Sequence, residues 1–496
     1  MSKNKLSRRD LIKLGTIGFI GTSLPAGLFA RNGNYKRNKN PKNIIFMVAD
    51  GMSMGALTLA ESFSKMVRNK GTHWEEILKN NEYALGFFDM ASLNSIVTDS
   101  AAASCSWATG VRINNYSVNM LPDGTKLKPI GVIAKEVGKS VGLVTTTRIT
   151  HATPAGFVAV EENRTNENSI APQYLNIADV LMGGGIRHFD ENQRDDNKNI
   201  FQIYEENDYV YWNHRNDILS DSNPKKILGL FSNSHLPYTV DHINNTDLKE
   251  AVPTLAEMSK KAIDILSQNS NGFLLQIEGG RVDHAAHDND AGAIMHDQLA
   301  FDDAIGVAME FARKDDETLV IITTDHGNAN IGLNGMGTTY RDTNKVYENL
   351  LKFNASFETL EPNLKKVAEN NGEVHDLIKT HFEITLNKEE AEAIALAAKG
   401  NLPPIWNRQH RNLKGLLGQV MANYCGVGWT GMSHTADYVV VSAIGPGQEK
   451  FSGLIKNTEA FAHMTEFMGV TVKNPEIGKD EARKYPEIKE KTPHWV

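Results

Sequence analysis

Three apolar runs of strand length in this chain each lead into a carboxylate, and that coincidence constrains the fold more than any other feature. Residues 44–49 (IIFMVA) run into Asp50, residues 273–277 (FLLQI) into Glu278, and residues 319–324 (LVIITT) into Asp325. Residues 141–146 (VGLVTT) and 438–443 (YVVVSA) belong to the same set. Continuous apolar runs of this length, separated by helical stretches, read as buried parallel strands with crossover helices on both faces. The expected fold is therefore α/β: a large, mostly parallel central sheet with helices on both faces. In such open sheets ligands bind beyond the carboxyl ends of the strands. A single acidic turn means little, but three at one edge predict a metal-binding site there. Residues 327–433, more than a hundred in number, separate the last ligand-bearing segments. Within them residues 387–399 are good helix formers between an N-cap (Asn387) and a stop (Gly400), so a largely helical insertion is expected. Residues 190–221, rich in Asn and Asp, read as loop with short helices.

The densest chemistry lies in residues 278–287 (EGGRVDHAAH). On a helix Asp283 and His287 are four apart, so they share a face and suit one ion. Glu278, at the strand end, points elsewhere and suits a second ion, while Asp288 is placed to orient His287. Asp325-His326 offers an oxygen and a nitrogen side by side, Asp50 ends the first strand, and His434 precedes the final apolar run. Mixed N/O donors without thiolate suit zinc, and an all-oxygen subset suits magnesium. His73, His235 and His296 have no comparable context and read as ordinary core or surface residues.

A nucleophile candidate, Ser100, lies in residues 97–110 (VTDSAAASCSWATG), between Asp99 and three alanines. A serine opening a helix of small residues sits in the field of free backbone N–H groups, and its neighbours permit close approach. The segment lacks the G-x-S-x-G elbow of acyl hydrolases, so another device must activate the hydroxyl; metal coordination is one that does so.

The 496-residue chain carries a net charge of −8. Its first thirty residues hold five basic side chains against Asp10, a net of +4, so the remainder sits near −12. An acidic chain without basic runs is a poor nucleic-acid binder. Ser7-Arg8-Arg9-Asp10-Leu11-Ile12-Lys13, followed by an apolar stretch broken by Gly15, Gly18, Gly21 and Pro25, is a twin-arginine export signature. The expected organisation is a signal peptide at 1–30, a polar linker at 31–40 and a catalytic domain at 41–496. The expected location is periplasmic or secreted, with the twin-arginine machinery as a partner during export. The two cysteines, Cys105 and Cys425, read as packing residues rather than a bridge.

Taken together, the motifs resemble those of the alkaline phosphatases. The resemblance is carried by Val48-Ala49-Asp50-Gly51-Met52, Thr98-Asp99-Ser100-Ala101-Ala102, His151-Ala152-Thr153-Pro154-Ala155, residues 277–287, Thr324-Asp325-His326-Gly327 and Ser433-His434-Thr435, in that order. It implies a phosphomonoesterase working through a covalent phosphoserine on Ser100, with small phosphate monoesters as substrates and inorganic phosphate as product. It implies two zinc ions, one on Asp283, His287 and His434, the other on Asp50, Asp325 and His326 with Ser100. It implies one magnesium ion on Asp50, Thr153 and Glu278. Arg164 falls where the family places its phosphate-binding arginine, and Asp99 where a residue steadies that arginine. His151 and His284 occupy positions that vary within the family, carrying acid and lysine in some members, and are expected just outside the ligand sets. A homodimer is expected from the resemblance alone. Sulfatases need a C/S-x-P-x-R context that Ser100-Ala101-Ala102-Ala103 lacks, and related diesterases and mutases lack the pair Thr153 and Glu278. An exported binding protein without activity has no use for an intact nucleophile beside every ligand.

Overall fold

The computed structural model describes residues 40–403 and 407–488; the expected signal peptide and all but the last residue of the linker lie outside them. The strands are β1 Asn43–Val48, β2 Ala84–Asp89, β3 Ser140–Arg148, β4 Val180–Gly184, β5 Val210–Trp212, β6 Ile227–Leu230, β7 Phe273–Glu278, β8 Thr318–Thr323, β9 Gly327–Asn328, β10 Gly332–Leu333, β11 Val427–Gly428, β12 His434–Thr435, β13 Val439–Ile444 and β14 Gly453–Lys456. Ten of them form one sheet in the order β14-β2-β13-β8-β1-β7-β3-β4-β6-β5. This is the mostly parallel α/β architecture expected from the apolar runs.

At the centre β1 pairs in parallel with β7 and β8, placing Val48 beside both Glu278 and Thr323. Side chains alternate across a strand. Ile44, Phe46 and Val48 therefore enter the core on one face, against the helices Ser100–Thr109 and Ala152–Val158. Ile45, Met47 and Ala49 enter the core on the other, with the helices Met54–Arg68, Leu255–Leu266 and Ala291–Lys314. All six are fully buried, each large one contributing roughly 1.5–3 kcal/mol of burial. Phe46 packs on Trp107 and Phe157, ring centroids 5.0 and 5.6 Å away, and so ties the serine-bearing helix to the strand that ends near Asp50.

Two features differ from the sequence reading. The run at 438–443 was expected to be parallel, but β13 pairs antiparallel with both β8 and β2. The chain reaches β13 from His434, already at the carboxyl edge beside the other ligands, so the strand can only run back through the sheet. The polar stretch 190–221 also holds the short edge strand β5, whose three residues carry too little alternation to be legible. Residues 327–433 contain the helices Asp342–Tyr347, Phe357–Val367, Asn371–Phe382, Lys388–Ala398 and Leu413–Cys425. Asn387 caps Lys388–Ala398 in a reciprocal capping box with Glu390. Cys105 and Cys425 are both free and buried. Among the described residues no helix is long and apolar enough to cross a membrane.

Candidate active site

Because β7, β1 and β8 are adjacent and parallel, the turns that leave them converge, bringing Asp50, Glu278 and Asp325 together. Gly51 makes this possible. Its φ is +68°, and a Cβ there would lie 2.3 Å from Asp283 Oδ1, so a side chain is excluded by backbone conformation and by space.

Two sets of donor atoms form. In the first, His287 Nε2 lies 3.3 Å from Asp283 Oδ2 and 3.0 Å from His434 Nε2, while His434 Nε2 lies 3.6 Å from Asp283 Oδ1. In the second, His326 Nε2 lies 3.0 Å from Asp325 Oδ2, 3.6 Å from Asp50 Oδ1 and 3.2 Å from Ser100 Oγ. Ligands about 2.0–2.1 Å from a tetrahedral ion stand roughly 3.3 Å apart, so these spacings match the edges of such a polyhedron. The imidazoles are turned for it. Nδ1 of His287 donates to Met432 O at 2.6 Å, that of His434 to Thr98 O at 2.9 Å, and that of His326 faces Gly327 O at 3.3 Å. With Nδ1 committed to a carbonyl, each Nε2 lone pair is left for the cluster. Asp288 does not orient His287, as the sequence suggested. It lies past the helix end and pairs with Lys414 at 2.9 Å.

A third group comprises Asp50, Glu278 and His151, with one donor atom from each within 4.8 Å of the others. Thr153 Oγ1 lies 3.4 Å from Asp50 Oδ2, and the hydroxyls of Thr145 and Thr147 donate to Glu278 Oε2.

Four carboxylate oxygens, Asp50 Oδ1, Glu278 Oε1, Asp283 Oδ2 and Asp325 Oδ2, are buried without a hydrogen-bond donor. Burial and the repulsion of Asp325, Asp283 and Glu278 push the Asp50 carboxyl well above its usual range. Burial likewise pushes Glu278 up to about 7. Burial also opposes ionisation of Asp283, yet His287, His434 and His326 hold its carboxyl well below the usual range. Four acids gathered this closely, with lone pairs unspent, fit divalent cations. The residues present suit the metals implied by the motifs.

Ser100 is the first residue of its helix. The N-cap is Asp99, whose Oδ1 accepts from Ala102 N at 2.9 Å. Asp99 Oδ2 accepts from Arg164 at 2.9 Å and from Tyr116 N at 3.1 Å, so one carboxylate caps the serine helix and aims the arginine. A second Arg164 nitrogen donates to His151 Nε2 at 3.0 Å. The His284 ring lies 5.6 Å from that of His151, and its Nδ1 accepts from Arg281 at 2.9 Å. Apart from Asp288, the ligand, nucleophile and arginine candidates of the sequence thus lie in one connected cluster, with His151 and His284 beside them.

The cluster also holds residues the sequence did not mark. His235, expected to be an ordinary residue, sets its ring edge-on to those of His284 and His151, with centroids 4.3 and 5.7 Å away. It bonds Arg148, itself paired with the buried Glu167 at 2.6 Å. Its flanking sequence, Asn233-Ser234-His235-Leu236, carries no motif, and only the junction of the turns after β3 and β6 places it there. Asn328 follows the Thr324-Asp325-His326-Gly327 run directly, and only the fold shows that it donates to Asp283 Oδ1 at 2.7 Å.

This donor set around a buried hydroxyl, with a guanidinium held alongside, defines a metal-dependent hydrolase of phosphoryl compounds. The family model described as "Alkaline phosphatase" matches residues 41–470. Alkaline phosphatase 4 of Bacillus subtilis is 33% identical over 480 residues, covering 92% of this chain and 97% of its own. Alkaline phosphatase 3 of the same organism is 31% identical, covering 87% and 90%. The crystal structure of Thermus thermophilus alkaline phosphatase superposes with a TM-score of 0.85 at 32% identity, covering 93% of this chain and 99% of that one. The chain belongs to the alkaline phosphatase family and is a metal-dependent phosphoric monoester hydrolase.

Proposed function

We propose that this enzyme hydrolyses phosphate monoesters by way of a phosphoserine on Ser100, with two zinc ions and one magnesium ion. The observation that carries the reading is the position of Ser100 Oγ, 3.2 Å from His326 Nε2 at the rim of one complete donor set. One zinc is assigned to Asp283, His287 and His434, the other to Asp50, Asp325, His326 and Ser100, and magnesium to Asp50, Thr153 and Glu278. Such ions supply Lewis acidity, lowering the pKa of a hydroxyl or water and stabilising charge on phosphoryl oxygens.

The chain's own residues do the rest. Arg164, with its planar fork aimed by Asp99, pairs two phosphoryl oxygens and fixes the phosphorus before the serine. Ser100 Oγ attacks in line; the new Oγ–P bond forms as the bond from phosphorus to the ester oxygen breaks, and the proton the hydroxyl gives up balances the one the departing alcohol takes on. The free N–H groups of the helix it opens favour the phosphoryl charge. A water then attacks phosphorus, the Oγ–P bond breaks, one of the water's protons returns to Ser100 Oγ, and inorganic phosphate leaves. One water is consumed per ester.

A chromogenic phosphomonoester tests this reading. Turnover is expected to vanish after chelation and dialysis, and to return with Zn²⁺ plus Mg²⁺; full activity in metal-free enzyme would refute it.

His151 is proposed to weaken the third site relative to one with an acid there. Arg164 donates to its Nε2, which leaves the proton on the buried Nδ1 and a neutral ring beside Asp50 and Glu278. In metal-stripped enzyme, His151→Asp is expected to tighten Mg²⁺ binding by about 10-fold, the scale of a residue just outside the ligands. Equal affinities by calorimetric titration would remove the idea. Export by the twin-arginine route to the periplasm or beyond, and a homodimeric state, are proposed from the signature at residues 7–13 and the family respectively. Cell fractionation and analytical sedimentation test these two.

A further inference from the structure

The helix Arg281–His287 carries two ligands of the first donor set, and its ends are gripped by residues 327–433. Arg281, its first residue, is 2% exposed and packs its guanidinium 3.6 Å above the ring of buried Tyr238. One guanidinium nitrogen donates to His284 Nδ1 at 2.9 Å and another to Glu358 Oε2 at 2.7 Å, on the insertion helix Phe357–Val367. Beyond the other end, Asp288 accepts from Lys414 of the insertion helix Leu413–Cys425 at 2.9 Å and from the Tyr238 hydroxyl at 3.3 Å. Asn289 pairs with His410 at 2.9 Å, and Asp290 accepts from Phe357 N at 2.6 Å. Asp283 and His287 lie between these anchors.

We infer that the insertion is a brace for the ligand helix, and that Glu358, acting through Arg281, is a positioning residue that sets zinc affinity at Asp283, His287 and His434. A buried guanidinium needs an anionic partner, and Glu358, whose own side chain is about half exposed at the edge of the insertion, is the carboxylate bonded to it. Without that carboxylate the guanidinium loses its charged anchor, and the first turn of the helix is held less firmly, by Thr146 Oγ1, which accepts from Arg281 N at 3.1 Å, and by the Tyr238 ring. Asp283 sits two residues on, so the ligand separations of about 3 Å are where the loss registers. Outer partners that orient a ligand set affinity by roughly 10- to 100-fold.

This inference rests on the proposal that the first donor set holds zinc, and the experiment separates the two. Full-length enzyme is stripped, and Zn²⁺ affinity is measured by competition with a chromophoric chelator for wild type, Glu358→Ala, Glu358→Gln and Lys366→Ala. Lys366 lies exposed on the same helix, away from the contacts with the ligand helix, so it reports any general disturbance of the helix that carries Glu358. Thermal unfolding of each stripped protein is recorded alongside. The brace predicts zinc binding about 10-fold weaker in Glu358→Ala, a smaller loss in Glu358→Gln, which keeps an acceptor for the guanidinium, and none in Lys366→Ala. Wild-type affinity in both Glu358 variants overturns the brace while leaving the zinc assignment intact. An equal loss in Lys366→Ala overturns it too, because the effect is then general to the helix. Absence of zinc binding by wild type overturns both readings.

Discussion

Ser100→Ala is expected to lower kcat/KM for a phosphomonoester on the order of 10³-fold or more, a loss of at least about 4 kcal/mol of transition-state stabilisation. Zinc content is expected to stay at the wild-type level. The hydroxyl is one donor at the rim of a set whose carboxylates and imidazoles come from Asp50, Asp325 and His326, so removing it leaves the polyhedron three-quarters built. The helix is not at risk, because Asp99 caps it and alanine suits its first turn. Activity without Ser100 would mean that water attacks the ester directly; loss of zinc with it would make the hydroxyl a structural ligand.

Asp50→Asn is expected to be as damaging for a different reason. Asp50 is common to two of the three groups, facing His326 through Oδ1 at 3.6 Å and Thr153 through Oδ2 at 3.4 Å. An amide keeps the shape, removes the charge and offers one oxygen in place of two. Both sites are therefore expected to lose metal, by more than the roughly 10- to 100-fold that removal of an outer-shell partner costs, and turnover is expected to fall with them. Asp283→Asn is the matched comparison, since it belongs to one group and is expected to empty one site. Metal analysis at a fixed free-zinc concentration distinguishes them, and equal stoichiometries in the two variants would remove the bridging role of Asp50.

The parts of the molecule legible from its sequence share a physical cause. β1, β7 and β8 are buried on both faces, so they read as continuous apolar runs, and the carboxylates at their ends mark one sheet edge. Asp283 and His287 announce themselves through helical spacing. What stayed hidden depends on contacts between distant segments. The direction of β13 follows from where the insertion delivers His434, which no local pattern encodes. His235 joins the histidine cluster only because the turn after β6 folds beside Arg148. Thr145 and Thr147 read as strand residues until Glu278 is placed against them. The grip of Glu358 and Lys414 on the ligand helix links sites 77 and 126 residues apart.

If ligands from five distant segments make Ser100 a nucleophile, trapping the enzyme in mid-turnover catches the phosphate on it. Enzyme mixed with a ³²P-labelled phosphomonoester and quenched in acid is expected to carry label on the peptide containing Ser100, with none in Ser100→Ala. Rapid turnover with no protein-bound phosphate, or label on another residue, would show that Ser100 is not the nucleophile.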